Sequence, residues 1–197
     1  MVNYAIHLGT SWDNVTSLLT QPSAFDHADW TKVNVTIDDN SATDPDSTTL
    51  ADSVIENTAN DFHMVHQTIA KDTSSKTYSL SVYAKVPASN GKARLQLQLD
   101  DGGSNGRFAT VDLANGEELG VAPGGYGSTF SGGTVSVVTA GNDWWLCTLA
   151  GVTTGSEATL RALLLLDNST GTNGGVASYL GDGAGHLYFY DAVLVED

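Results

Sequence analysis

Residues 76–101 read KTYSLSVYAKVPASNGKARLQLQLDD, and this stretch decides the fold class. In its first half Tyr78, Leu80, Val82 and Ala84 alternate with Ser79, Ser81, Tyr83 and Lys85. In its second half Leu95, Leu97 and Leu99 alternate with Arg94, Gln96, Gln98 and Asp100. Strict period-2 alternation marks strands that bury one face, as antiparallel sheets do. The spacing predicts a hairpin closed by the turn Pro87-Ala88-Ser89-Asn90-Gly91, with one apolar face and one polar face.

Composition agrees with an all-β chain. Among 197 residues there are 21 glycines and 4 prolines, and no heptad or long 3.6-residue period appears. That length allows one domain with a real core, or one domain and a short appendage. Eight basic residues stand against 23 acidic ones, for a formal charge of −15. Phosphate-backbone binding needs clustered Lys and Arg, so nucleic acid is excluded as an expected partner. No apolar run approaches the roughly 18 residues of a membrane span, and Met1-Val-Asn-Tyr4 does not open a signal peptide. The single cysteine, Cys147, excludes an intramolecular disulfide and is expected to be a small buried hydrophobe.

Outward from the central stretch, residues 1–17 show little pattern and are expected to be an arm or extra strand, with Trp12 as a packing anchor. Val33, Val35 and Ile37 alternate and predict one strand. Asp44-Pro45-Asp46-Ser47 is a turn cluster, and Asp52–Glu56 starts another strand. His63 and His66 fall on opposite faces of a strand, which argues against a zinc pair, and both are expected at the surface or in a turn. Residues 120–133, with Pro123, Tyr126 and Phe130, read as a long glycine-rich loop, a candidate for ligand contact. Trp145, Cys147 and Leu149 share a face expected in the core, and Trp144 lies on the other face. Leu160–Leu166, LRALLLL, is apolar on both faces and requires cover on both, the outer cover coming from residues 1–17 or a neighbouring subunit. Residues 167–185 read as a polar loop, and His186–Val195 as the last strand.

Six pieces, in order, carry a resemblance. They are Phe25 followed by Trp30-Thr31-Lys32; Pro45-Asp46 with Thr48-Thr49 and Ala51-Asp52; and His63 with Gln67-Thr68. They continue with Tyr78 and Leu80-Ser81-Val82-Tyr83-Ala84-Lys85, then Asp143-Trp144-Trp145-Leu146-Cys147, and close with Leu187-Tyr188-Phe189-Tyr190-Asp191-Ala192. Residues 18–197 thereby resemble the jelly-roll β-sandwich carbohydrate-binding modules found on phage tail fibres and beside bacterial glycoside hydrolases. The resemblance implies two antiparallel sheets over that range and a glycan or polysaccharide ligand. It also implies a place on a virion surface or outside the cell, with copies of the chain or virion neighbours as further partners.

A sugar stacks its C–H face on an aromatic ring while amides and charged groups bond its hydroxyls. The expected set is Tyr83, Lys85, Arg94, Gln96 and Gln98 on the polar hairpin face, with Trp144 if its strand joins the same sheet. Tyr126 or the 167–185 loop offers a loop-edge alternative. The resemblance also implies a structural calcium ion, Ca2+, at Asp191, although Ala192 departs from the aspartate pair of the relatives. Three functions remain open at this point: non-catalytic carbohydrate binding, a structural or decoration domain of a virion, and an enzyme. The last is disfavoured, because no acid pair sits beside aromatics on one strand face and the strand motifs of the jelly-roll lyases are missing.

Overall fold

The alternating runs become strands, and among the described residues there is no helix. The computed structural model describes residues 16–168 and 178–197, so of the expected arm residues 1–15 lie outside the described residues. The strands run β1 (Thr31–Val33), β2 (Val35–Ala42), β3 (Ala51–Glu56), β4 (Asn60–Asp61), β5 (His63–Ala70), β6 (Thr77–Lys85) and β7 (Arg94–Asp100). They continue as β8 (Gly106–Asp112), β9 (Glu117–Tyr126), β10 (Ser131–Gly141), β11 (Trp144–Thr153), β12 (Thr159–Asp167), β13 (Tyr179–Leu180) and β14 (His186–Glu196). Sheet I has the order β1-β5-β12-β7-β8-β9, and sheet II the order β10-β11-β6-β14-β3-β2. The strands of both sheets pair antiparallel, and β13 pairs with β4 as a separate clasp. The chain is an all-β jelly-roll sandwich.

The core lies between the sheets. Tyr78, Leu80, Val82 and Ala84 of β6 face it from sheet II, and Leu95, Leu97 and Leu99 of β7 face it from sheet I. This overturns the expected hairpin. β6 and β7 are not neighbours in one sheet but belong to opposite sheets, and residues 86–93 form an arch between them. Stacked sheets sit about 10 Å apart, a span that eight residues cross easily. A hairpin would have put both leucine-bearing faces on one side of one sheet, whereas the arch turns them toward each other.

The same logic splits the expected strand around Val33. Asn34 takes φ 55°, in the left-handed region where asparagine is tolerated better than other side chains. The kink sends β1 into sheet I and β2 into sheet II. Within the core Phe25, Trp30 and Phe189 pack together, with ring centroids 4.8 Å apart for Phe25–Trp30 and 5.7 Å for Phe25–Phe189. Cys147 and Leu149 are buried in the core and Trp145 packs against it, as their shared face predicts.

Two further expectations are corrected. Most of 120–133 is not loop: β9 extends to Tyr126, β10 starts at Ser131, and Phe130 is a core residue. His63 is not at the surface but fully buried, its ring 4.6 Å from that of Tyr179. β12 runs through the middle of sheet I, with Leu160, Ala162, Leu164 and Leu166 in the core cluster. Its opposite face, with Leu163 and Leu165 at 1% and 3% exposure, is covered too.

Candidate functional site

The outer face of sheet I carries a groove of about 390 Å³. Register builds it in rows across the strands. One row runs Met64–Leu165–Gln96–Thr110, the next His66–Leu163–Gln98–Phe108–Gly124. The third runs Thr68–Arg161–Asp100–Gly106–Tyr126. Side chains in register on one face stand about 5 Å apart, so three rows form a continuous surface. Leu163 and Leu165 make an apolar floor, and Phe62, Phe108 and Tyr126 bring rings to its sides.

Two glycines let those rings lie low. A Cβ on Gly124 would stand 2.4 Å from the Phe108 ring, and one on Gly106 would stand 2.7 Å from the Tyr126 ring. Any larger residue would lift the ring off the sheet.

The polar half of the groove is one hydrogen-bonded chain. Gln96 Nε2 donates to Gln98 Oε1 at 2.9 Å, and Thr110 Oγ1 donates to Gln96 Oε1 at 3.4 Å. Gln98 Nε2 donates to Asp100 Oδ2 at 2.6 Å and to Tyr126 Oη at 3.1 Å, and Tyr126 Oη donates to Asp100 Oδ2 at 3.0 Å. Arg161 grips the same carboxylate with Nε to Oδ1 at 2.6 Å and Nη2 to Oδ2 at 2.9 Å. The Gly102 amide adds a bond to Oδ1 at 2.8 Å. Asp100, its side chain fully buried, therefore accepts five hydrogen bonds and has no capacity left for a ligand. Paired and saturated in this way, its buried charge is tolerable.

Electrostatics follow from that pairing. Hydrogen bonding to Asp100 raises the Arg161 pKa and keeps the guanidinium charged. Burial, and then the Asp100 charge, push the Tyr126 phenol well above its ordinary value. His66 is pushed down, first by burial and then by Arg161, with Asp100 opposing, which favours the neutral imidazole.

Of the expected site residues, Arg94, Gln96 and Gln98 share the outer face of sheet I, and Gln96 and Gln98 line the groove. Gln96 is only 1% exposed, so it props Gln98 more than it meets solvent. Arg94 lies one row beyond, in register with Asp112 and Asp167. Tyr83 and Lys85 are on the outer face of sheet II, across the whole core from the glutamines. There Tyr83 lies 6.2 Å from Tyr190, and Lys85 Nζ donates to the Asn142 carbonyl at 2.7 Å. Trp144 does share that sheet with Tyr83, but it is fully buried, its indole N–H donating to the Thr43 carbonyl at 3.1 Å. The expected single face is therefore two faces, and Trp144 is a packing residue. Missed from the sequence were Arg161, Phe108 and Phe62, and the role of Asp100. The lone cation in LRALLLL was a usable signal, since an arginine among leucines needs a buried partner.

Asp191, the expected calcium ligand, sits on a bulge of β14 with φ 50°. Its carboxyl is raised to about 6 by burial and then by Asp46, while Ser23 Oγ donates to it at 3.5 Å. Among the described residues no group of three or more His, Cys, Asp or Glu side chains is placed to hold a metal. A hard-cation shell of six to eight oxygens at Asp191 would have to draw on Asp46, Ser23 and backbone carbonyls.

No sequence family matches the chain. No curated protein matches it either. Solved structures do. The enzymatically active domain of tailspike protein 4 from bacteriophage CBA120 is similar at 13% identity and TM-score 0.50, over 92% of this chain and 21% of that one. The chain thus spans about a fifth of the tailspike chain. The carbohydrate-binding module TmCBM61, solved in complex with β-1,4-galactotriose, aligns at 10% identity and TM-score 0.49, over 93% of this chain and 100% of that one. At such identity the tailspike likeness shows a shared β-sandwich fold.

Proposed function

We propose that the outer groove of sheet I binds a carbohydrate chain without cleaving it. The observation that carries this reading is the junction of two surfaces in one groove. An aromatic side (Phe108, Phe62) above a buried leucine floor faces a polar side (Gln98, Tyr126, Arg161) held rigid by Asp100. A pyranose presents the same two chemistries, a C–H face and a rim of hydroxyls. Pre-paired side chains lose little freedom on binding.

The non-catalytic part of the reading rests on what the groove residues are already committed to. Glycoside hydrolysis uses two carboxylates roughly 5–10 Å apart. Among the described residues lining the groove Asp100 is the one carboxylate, and it is saturated. Tyr126 Oη, which already accepts from Gln98 and donates to Asp100, is not free to act as a lyase base.

The setting we propose is the surface of a virion, such as a phage tail fibre, and the support is the ordered set of sequence pieces from Phe25 to Ala192. An antibody to the protein should then label intact particles, and unlabelled particles would remove the setting while leaving the groove. A structural calcium at Asp191 belongs to the same proposal.

The test of the binding reading is a glycan array followed by calorimetry on its hits. An open groove predicts dissociation constants from about micromolar to millimolar. Phe108→Ala and Gln98→Ala should weaken binding about tenfold or more, a loss of roughly 1.4 kcal/mol. Tyr83→Ala, on the far sheet, should leave it unchanged. Loss in Tyr83→Ala with both groove variants unaffected would move the site to sheet II.

A further inference from the structure

Resting on the carbohydrate reading of the groove, we infer that its ligand is an uncharged glycan and that Asp100 is the residue that excludes acidic ones. The groove's described lining contains one cation, Arg161, and one anion, Asp100. The two are joined by a bidentate pair at 2.6 and 2.9 Å, so the groove carries no net charge.

A uronate or sialate would need a cation that it does not have to share. Arg161 meets that need poorly, since two of its three nitrogens point at Asp100. A glycan carboxylate entering the groove would also approach the Asp100 carboxylate behind the guanidinium. Nor does His66 supply a charge, since burial favours its neutral form. Around the groove the whole molecule carries a formal −15, a field that repels polyanions at a distance. What the groove does offer is suited to hydroxyls. Among the described residues nothing takes the N–H groups of Arg161 Nη1 or the second N–H of Nη2, and Gln98 Oε1 has a lone pair beyond its bond from Gln96. Tyr126, whose hydroxyl already donates to Asp100 and accepts from Gln98, offers its ring.

Asp100 touches no ligand in this scheme. It is a positioning residue that both aims Arg161, Gln98 and Tyr126 and cancels the Arg161 charge. Removing its charge without changing its shape separates the two effects. Asp100→Asn should weaken an uncharged hit severalfold and at the same time improve binding of the carboxyl-bearing counterpart of that hit, because Arg161 is then unpaired. A purely structural role would weaken both together.

The experiment is an array carrying neutral glycans beside uronate- and sialate-bearing ones, with each hit titrated against its carboxyl-bearing or carboxyl-reduced counterpart. The wild-type protein is expected to prefer the uncharged member by tenfold or more. Its affinity should change less than about twofold between roughly 0.05 and 0.5 M salt, since no net ionic contact is there to be screened. These wild-type measurements decide the matter even if Asp100→Asn does not fold. Equal or tighter binding of the acidic member, or steep salt dependence, overturns this inference and leaves carbohydrate binding standing. An array with no hit of either kind overturns the carbohydrate reading itself.

Discussion

Asp191 is a carboxyl group in a place that does not favour its charge. Burial and the nearby Asp46 raise it from 3.8 to about 6, with only Ser23 opposing. A carboxyl raised on folding contributes stability that is fully present below its unfolded value and is lost as pH rises through the folded value. Acidifying from pH 7 toward pH 4 should therefore stabilise the protein through this group. Asp191→Asn should raise the melting temperature at pH 7 in EDTA and converge with the wild type near pH 4. Partial exposure reduces the full shift to about 1–2 kcal/mol. Asparagine also tolerates the positive φ at this position. Calcium reverses the order: if Asp191 holds an ion, adding calcium raises the wild-type midpoint above that of Asp191→Asn, which does not respond. Wild-type melting curves that are the same in EDTA and in calcium would end the calcium proposal, and a flat pH response in both proteins would end the titration argument.

At the scale of elements, the groove depends on β9 lying flat beside β8. Gly124 opposes Phe108 in register, and the ring occupies the space that a Cβ would take. Gly124→Ala should tilt Phe108 and weaken glycan binding several-fold, while the melting temperature moves little because the site is near the sheet edge. A variant with unchanged affinity would show that Phe108 does not stack on the ligand. β12 makes the complementary point. Its apolar residues are divided between two jobs, Leu164 and Leu166 filling the core and Leu163 and Leu165 flooring the groove. A strand in the middle of a sheet and covered on both sides has no use for alternation.

For the molecule as a whole, both sheets close a single core, so neither can bury its apolar face alone. Leu97 of sheet I and Leu80 of sheet II are both fully buried there. Leu97→Ala should cost about 2–5 kcal/mol. At one fixed glycan concentration, denaturation followed by tryptophan fluorescence should give the same midpoint as denaturation followed by loss of glycan binding. Trp30 and Trp144, fully or nearly buried, report on packing away from the groove, whereas bound glycan reports on sheet I. Two separated midpoints would mean that the sheets fold as independent units.

Local chemistry was enough to determine that this chain is all-β, while the sandwich was implied by the resemblance of residues 18–197. Period-2 alternation at Tyr78–Lys85 and Arg94–Asp100 requires strands with one buried face, and the glycine-rich turns limit their length. The leucines of β7 were legible as core and Gln96 and Gln98 as an outer surface for the same reason. Alternation states only that an apolar face must meet another. It is satisfied equally by a hairpin, with both faces on one side of a sheet, and by an arch, with the faces opposed. The tertiary structure chose the arch over residues 86–93, and that choice put Tyr83 and Lys85 on one outer surface and the glutamines on the other. The partners of Gln98 were likewise set by packing. Arg161, Tyr126 and Phe108 are distant in sequence, and they meet because β12, β8 and β9 stack beside β7 in register. Asp100 became the centre of the site only there, where a buried carboxylate has to be paired and fully hydrogen-bonded to exist.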